Sequence, residues 1–269
     1  MAVVRLLLAY DGTGFRGWAA QPGVRTVEGL LGDVLERVLG GERPHLSVAG
    51  RTDAGVHAIG QVASFRVAET PDIARLQRAV NAMLAPEVVV REARLAADAF
   101  DARYRATGRE YLYRIDLASV PDPMTARYVW HHPDPLALGP MRAAARALLG
   151  EHDFASFCRA PSPPASTVRT LRRLSVARAG EEVRIRAEAN GFLHQMVRSL
   201  VGTLVAVGEG RVAADAMPEV LAARRRQAAG RVAPPYGLAL VRVSYVGRPF
   251  TLPSIPRYTA LSAVSAAFS

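Results

Sequence analysis

The spacing of apolar residues predicts alternating strands and helices over the first 104 residues. Thr26 can cap a helix with a single apolar stripe at helical spacing, formed by Val27, Leu30, Leu31, Val34, Leu35, Val38 and Leu39. The segment Thr70-Pro71-Asp72 predicts a second helix start, with the proline in the first turn. Strand-like apolar runs lie at about residues 3–10, 60–67 and 87–95.

A second series of elements begins after Tyr104. Tyr111, Tyr113 and Ile115 alternate with polar residues, which is the spacing of a strand. The elements predicted after it are a helix near 140–149, strands at 171–177 and 183–189 joined at Ala179-Gly180, an apolar helix from Phe192 to Val205, a helix near 213–226 and a strand at 238–246. Residues 159–167 are interpreted as a Pro/Ser loop and 247–269 as a weakly ordered tail.

The order of these elements indicates the fold class. Hairpins and mixed strand order favour an α+β fold with mainly antiparallel sheets over a doubly wound parallel sheet. The two series have similar content but no visible sequence repeat. We therefore predict an N-terminal domain at 1–104, a C-terminal domain at 105–246 and a tail at 247–269.

The charge of the chain narrows the class of partner. The 269 residues include 34 basic and 24 acidic residues, a net charge of +10, and every basic residue is an arginine. The nucleotide composition of the gene explains the missing lysine equally well, but lysine Schiff-base chemistry and a phosphate-loop lysine are excluded in either case. Arginine suits phosphates and base edges, so a polyanion is the favoured partner. A membrane surface is disfavoured, because no predicted helix has a basic face opposite an aromatic one.

The number of cysteines and the first apolar run indicate the cellular compartment of the protein. The single cysteine, Cys158, excludes an intramolecular disulfide and favours a reducing compartment. The N-terminal run ends within ten residues and contains Arg5, so it is too short for a membrane span and is predicted to be a buried strand. We expect a cytoplasmic protein.

Two further features of the sequence, a glycine-rich stretch and the histidines, could indicate a cofactor or a metal site, but their surroundings and spacing argue against both. Residues 12–17, GTGFRG, match the dinucleotide-binding spacing, but the predicted helix begins only at about Thr26 instead of directly after the glycines. They are interpreted as a glycine-rich surface loop. The six histidines and the single cysteine have no zinc-ligand spacing. We expect neither a cofactor nor a metal site.

The stretch AGRTDAGVHAIG, residues 49–60, is the strongest candidate for chemistry. It places Arg51 and Asp53 two residues apart between glycines, which let a ligand approach the backbone closely. An aspartate here could simply cap its own turn. Alternatively, nearby arginines keep it ionised, ready to attack an electrophilic carbon or to take a proton.

GRTDAGVHA resembles the active-site motif of the tRNA pseudouridine synthase A family, and the flanking motifs agree in order. They span about residues 3–246 and read YDGTGFRGW (10–18), NAMLAP (81–86), FDARYRA (100–106), REYLYRI (109–115), GEHDFASF (150–157), NGFLHQMVRSLVGTL (190–204) and APPYGLAL (233–240). The chain departs from the usual pattern at Ala19, where glutamine is common, and at Ala85, where leucine precedes proline.

The resemblance implies a cofactor-free isomerase that converts uridine to pseudouridine in the anticodon stem-loop of tRNA, typically at positions 38, 39 and 40. It implies that Asp53 is catalytic, Arg51 displaces the base, Tyr111 stacks on the flipped uracil and Arg198 pairs with the aspartate. It also implies two similar α/β halves whose antiparallel sheets abut around a central cleft, usually in a homodimer that binds tRNA.

Other interpretations stay open from the residues alone. Tyr111 could be a core strand tyrosine, and Arg198 could extend to solvent from a buried helix. A non-catalytic RNA-binding protein with the same basic sheets is the main functional alternative, and a nucleoside or glycoside hydrolase is another. A hydrolase normally needs two carboxylates, whereas one suffices where the leaving uracil is recaptured.

Overall fold

The computed structural model describes residues 1–159 and 165–246. Its strands are β1 (Ala2–Tyr10), β2 (Ser47–Val48), β3 (His57–Val67), β4 (Val88–Ala96), β5 (Ala106–Asp116), β6 (Trp130–His131), β7 (Gly150–Asp153), β8 (Val168–Ala179), β9 (Glu182–Ala189) and β10 (Leu238–Tyr245). Its α-helices are α1 (Val27–Leu39), α2 (Ile73–Leu84), α3 (Leu138–Ala147), α4 (Met196–Gly208) and α5 (Met217–Ala222).

The strands form one mostly antiparallel sheet, which confirms the predicted fold class. The order is β4-β1-β3-β10-β5-β9-β8-β7, with β2 paired to β3 and β6 paired to β5. Two strand pairs are parallel, β3–β10 and β5–β6. The strands of the N-terminal half therefore abut those of the C-terminal half along β3 and β10. The domain boundary at 104/105 stays a prediction, and the tail at 247–269 lies outside the described residues.

The helices of the N-terminal half follow their sequence signals. The hydroxyl of Thr26 accepts a hydrogen bond from the Gly29 amide at 3.2 Å. Four residues of the predicted apolar stripe on α1 are buried, and the other three are partly buried against the core. In α2 the prediction placed Pro71 in the first turn, and this was wrong by two positions. Asp72 is the cap, its carboxylate accepts from the Arg75 amide at 3.0 Å, and the helix begins at Ile73.

Two predicted helices of the C-terminal half are shorter than expected. The apolar run from Phe192 does not start a helix, because Gln195 adopts a left-handed conformation (φ 56°) and α4 begins only at Met196. The helix predicted near 213–226 is reduced to α5, because Arg224 is also left-handed (φ 49°) and ends the regular hydrogen bonding. None of the described helices is long and apolar enough to cross a membrane.

Helix α4 is the centre of the C-terminal core. All of its residues except Arg198 are buried. The segment before β10 crosses the helix at Gly202, where a Cβ atom would overlap the carbonyl oxygen of Arg231. Hydrogen bonds on both sides fix this crossing: the Gly230 amide donates to the Thr203 hydroxyl at 2.9 Å, and the Ala233 amide donates to the Arg198 carbonyl at 3.0 Å.

A buried histidine joins the two halves where β3 meets β10. His57 lies opposite Ala239 in the parallel pair. Its Nδ1 accepts from the Gly12 amide at 3.0 Å, and its Nε2–H is 3.0 Å from the carbonyl oxygens of Arg127 and Tyr236. Burial lowers the pKa of His57, although the carboxylate of Asp11 opposes the shift. The neutral ring therefore satisfies donors and acceptors from both halves.

The crossing at Gly202 yields a stability prediction with a matched control. We expect Gly202→Ala to lower the free energy of unfolding by about 1–3 kcal/mol or more, because the added methyl group must displace backbone. Gly139→Ala in α3 meets nothing within 4 Å, so helix propensity should raise the free energy of unfolding by about 0.5–1 kcal/mol. Urea denaturation of both variants measures the difference, and equal effects would contradict the tight crossing.

The contribution of His57 to the free energy of unfolding, at the place where β3 meets β10, should decrease in acid. The unfolded chain binds a proton on this residue more readily than the folded chain, since burial lowers the folded-state pKa. The neutral His57 ring therefore contributes its full share of stability above about pH 6.5. This share is lost as the pH falls below that value towards the pKa of His57 in the folded chain. Urea denaturation at pH 7.5 and 5.5 should show a smaller loss of stability in His57→Gln than in the wild type. Other titrating groups, such as His132, cancel in this comparison, and an identical loss in both proteins would refute the role.

Candidate active site

The four residues predicted for the site line one cavity of about 660 Å³. Its walls are the loop 49–56 and residues 191–198, and Tyr111 of β5 lies between them. A second cavity, of about 770 Å³, lies on the other face of the sheet, where Leu112 and Arg114 of β5 point. It contains none of the four, so the first cavity is the candidate site.

The loop that holds Asp53 is pressed against the glycine-rich loop that follows β1. The Trp18 amide donates to the Thr52 carbonyl at 3.0 Å, and the Gly55 amide donates to the Phe15 carbonyl at 3.3 Å. A Cβ atom at Gly12 would overlap the carbonyl oxygen of Val56. The glycines of GTGFRG therefore let two loops touch, and α1 begins ten residues after the last of them, as predicted.

An ion pair between the two halves of the chain dominates the cavity. The Arg198 Nη1 lies 3.2 Å from the Asp53 Oδ2. The two side chains are 13% and 20% exposed, respectively. A charge pair in such a partly buried place interacts more strongly than one at the surface. The Asp53 side chain, at 20% exposure, still lines the cavity.

The guanidinium of Arg198 is fixed at a second point. Its Nε donates to the Ala233 carbonyl at 2.8 Å, while the Ala233 amide donates to the Arg198 carbonyl. The alternative that Arg198 only extends to solvent is wrong, because its charged end is engaged inside the site. The geometry leaves Nη1 directed at Asp53.

Tyr111 lies in the wall of the cavity and is only 7% exposed. Its ring meets Phe192 edge-on, with centroids 5.3 Å apart. Burial raises the pKa of Tyr111, and the negative charges of Tyr10 and Asp53 would add to the shift. The phenol is therefore protonated at neutral pH and offers a ring and a hydroxyl group rather than a phenolate.

Arg51 is the exposed member of the predicted set. It lies at the rim of the same cavity. Within residues 1–159 and 165–246 it makes neither a hydrogen bond nor an ion pair, in contrast to Arg198. Its guanidinium is free to contact a ligand.

Sequence reasoning missed His194, which faces the other oxygen of the catalytic candidate. Its Nε2 lies 3.6 Å from the Asp53 Oδ1. Its Nδ1 contacts the Arg159 carbonyl, and the Arg159 amide donates back to the His194 carbonyl at 3.0 Å. A carbonyl oxygen can only accept, so Nδ1 is the donor in this contact and Nε2 is the nitrogen that faces Asp53. The signal in the sequence was one polar residue inside the apolar run predicted as a helix from Phe192 to Val205, which is weak by itself.

The cavity contains groups for proton transfer, nucleophilic attack and anion binding. In the described ranges, no three His, Cys, Asp or Glu side chains cluster so as to hold a metal ion. Asp53 supplies a carboxylate and His194 an imidazole. Five arginines line the walls against three carboxylates. A polyanionic substrate with an electrophilic carbon fits this combination.

Comparisons with known proteins found a matching family model and similar chains. A family model described as tRNA pseudouridine synthase matches residues 144–246. A solved chain from "Crystal Structure of a Cbf5-Nop10-Gar1 Complex" aligns with 88% of this chain and 49% of its own length, at a TM-score of 0.36 and 14% identity.

Curated relatives match almost end to end. The tRNA pseudouridine synthase A of Acidiphilium cryptum is 45% identical over 251 residues, which cover 91% of this chain and 97% of that protein. The protein of the same name from Frankia casuarinae is 47% identical and covers 90% and 89%. The one from Geobacillus sp. strain WCH70 is 40% identical and covers 90% and 98%. This identity and coverage show that the chain belongs to the tRNA pseudouridine synthase A family.

Proposed function

We propose that this chain isomerises uridine to pseudouridine in the anticodon stem-loop of tRNA, at positions 38, 39 and 40, with Asp53 as the catalytic residue. The observation that carries the proposal is the Asp53–Arg198 ion pair at 3.2 Å, inside a cavity that also contains Tyr111. The names of the relatives support tRNA as the substrate, and the net charge of +10 supports a polyanion.

The reaction needs little beyond a well-placed carboxylate. The bond from N1 to C1′ breaks, and a bond from C5 to C1′ forms. The C5 proton leaves, and N1 gains a proton. Atoms and oxidation state are conserved, so the chemistry requires neither a redox partner nor an activated donor.

In the proposed mechanism the ionised carboxylate of Asp53 acts on the ribose. It either attacks C1′ or removes a ribose proton to give a glycal, and both steps start from the anion. Arg198 holds that anion in place through Nη1, since its Nε is tied to the Ala233 carbonyl. A charge held in advance costs no reorganisation when the reaction occurs.

The target nucleotide must leave its stack before the carboxylate can reach C1′. Turning a base out of a helix costs a few kcal/mol, which contacts in the pocket offset. Arg51, which is exposed at the rim, would occupy the position that the base vacates. The exposed part of the Tyr111 ring is then the surface on which the uracil rests. Because its pKa is raised, Tyr111 is a poor candidate for the base that takes the C5 proton.

The charge of the cavity, the cysteine content and the substrate class support proposals on tRNA binding and localisation. The arginines around the cavity would bind phosphates, which makes affinity for tRNA dependent on salt. Arg51, Arg103, Arg109, Arg169 and Arg198 line it. The single cysteine and a tRNA substrate favour the cytoplasm. We also propose a homodimer, which sedimentation analysis of the purified chain tests directly.

Removal of the Asp53 charge tests the catalytic assignment. We expect Asp53→Asn to release no tritium above background from tRNA labelled at C5 of uridine, because an amide neither attacks C1′ nor takes a proton. Affinity for tRNA should stay within a few-fold of the wild type. Asp33→Asn on α1 is the matched control, since it removes an exposed carboxylate that pairs with Arg43, and it should keep full activity.

The same assay separates the alternative functions. Binding of tRNA by the wild type without tritium release would favour the non-catalytic RNA-binding protein. Appearance of free uracil would favour a hydrolase. Tritium release by Asp53→Asn at the wild-type rate would remove Asp53 from the mechanism.

A further inference from the structure

One arginine in the wall of the cavity donates all of its N–H groups to the protein itself. Arg109 of β5 is half-buried and lies two residues from Tyr111, on the same face of the strand. A guanidinium has five N–H donors, and Arg109 makes five hydrogen bonds to backbone carbonyl oxygens. It therefore differs from Arg51, whose guanidinium is free to contact a ligand.

Arg109 connects the two walls that carry the ion pair. Its Nε and Nη2 donate to the Ala49 carbonyl, at 2.9 and 2.6 Å, where the loop that holds Asp53 begins. Its Nη1 donates to the Asn190 carbonyl at 2.8 Å, where the chain has left β9 on its way to Arg198. One side chain thus bonds to the start of both walls.

The remaining donors fix the guanidinium of Arg109. Its Nη1 also donates to the Ala106 carbonyl at 3.1 Å, and its Nη2 also donates to the Arg103 carbonyl at 3.2 Å. These carbonyls belong to the segment that leads into β5. The guanidinium cannot turn towards a ligand without breaking several of these bonds, so its place in the wall belongs to the fold.

Buried side chains of the N-terminal half hold other groups of the loop. Gln61 of β3 is fully buried, and its side-chain amide donates to the Gly50 carbonyl at 2.6 Å. The hydroxyls of Tyr10 and Thr52 are hydrogen-bonded to each other at 2.8 Å. These bonds fix the loop to its own half of the sheet. The bonds of Arg109 are different, because they also reach the wall that the C-terminal half contributes.

The charge of Arg109 is balanced by carbonyl dipoles. Among the residues that the structure describes, no carboxylate contributes to its electrostatic surroundings. Burial lowers the pKa of Arg109, but a guanidinium stays protonated at neutral pH. Hydrogen bonds from a charged donor are stronger than those between neutral groups. The contacts to both walls therefore depend on the charge and on the planar fork of the arginine together.

We propose that Arg109 is a positioning residue of the active site: it holds the loop 49–56 and the segment 190–195 at the separation that the Asp53–Arg198 ion pair requires. Its charge adds to the attraction of a polyanion, but no N–H group remains for a phosphate oxygen. The inference rests on the proposed function, because the rate that Arg109 supports is the rate of the reaction assigned to Asp53.

Arg109→Lys separates positioning from phosphate binding. Lysine keeps the positive charge and binds phosphate, but three donors on one nitrogen cannot span the carbonyls of both walls. We expect the single-turnover rate of tritium release, with the enzyme in excess over tRNA, to fall about 100-fold, as for a misplaced catalytic group. Affinity for tRNA should stay within about twofold of the wild type. Arg109→Gln should lose at least as much rate.

The opposite pattern would overturn the proposal. An arginine that serves as a phosphate ligand predicts a nearly wild-type rate and affinity for Arg109→Lys and weaker tRNA binding for Arg109→Gln. Arg142→Lys is the matched control, because Arg142 of α3 also donates to a backbone carbonyl, that of Val176 at 3.0 Å, and lines neither cavity. It should bind and react as the wild type, and an equal loss of rate in Arg142→Lys would also overturn the assignment.

Hydrogen exchange reports the two walls independently of activity. In Arg109→Lys the backbone amides of 49–56 and 190–195 should both exchange faster than in the wild type, because the walls open locally once their common anchor is lost. The amides of α2 should exchange as before. Unchanged exchange in both walls would contradict the positioning role. Urea denaturation shows that a variant is folded, and Arg109→Gln takes the place of Arg109→Lys if the latter is not.

The failure of this inference can be told apart from the failure of the proposed function. If the wild type releases tritium and Arg109→Lys reacts and exchanges like it, only the positioning role is wrong. If the wild type releases none but both walls exchange faster in Arg109→Lys, Arg109 still positions the walls and the isomerase is wrong.

Discussion

The ion pair between Asp53 and Arg198 is the constraint on which the rest of the structure depends. The carboxylate comes from the N-terminal half and the guanidinium from the C-terminal half, so their 3.2 Å contact requires the two halves to meet in one register. The parallel pairing of β3 with β10 sets that register, and His57 links both halves beside it. Helix α4 is buried apart from Arg198, so its packing places the guanidinium.

The same pair reconciles the carboxylate that we propose as the catalyst, Asp53, with a polyanionic substrate. An unpaired carboxylate would repel a polyanionic ligand, but the guanidinium of Arg198 lies 3.2 Å from one oxygen of Asp53 and balances its charge. The arginines farther out remain available to the backbone of the RNA. The cavity thus contains a neutralised ion pair, Asp53–Arg198, together with the positive charges of Arg51 and Arg103 at its rim.

Local pattern predicted most of the fold, and long-range packing decided the rest. The apolar stripe after Thr26 was sufficient to predict a helix, and the alternation around Tyr111 was sufficient to predict a strand. In both cases the pattern is local, because a single helix or strand buries one of its faces. The start of α4 was missed because Phe192 and Leu193 fit the helical spacing, while a left-handed Gln195 separates them from the helix. Pairing of β3 with β10 joins segments about 180 residues apart and leaves no local pattern. The motifs indicated all four residues that now line one cavity, but not His194, whose orientation depends on the loop at Arg159.

The most direct test of the pair is the single-turnover rate of isomerisation, measured with the enzyme in excess over tRNA and above the dissociation constant, for wild type, Arg198→Lys and Arg198→Gln. Loss of one preorganised charge typically costs about 100-fold or more in rate. The account predicts a loss of that size for Arg198→Gln, with tRNA affinity within a few-fold of the wild type. Arg198→Lys should react at an intermediate rate, since it keeps the charge but loses the Nε anchor at Ala233. A wild-type rate for a folded Arg198→Gln protein would contradict it.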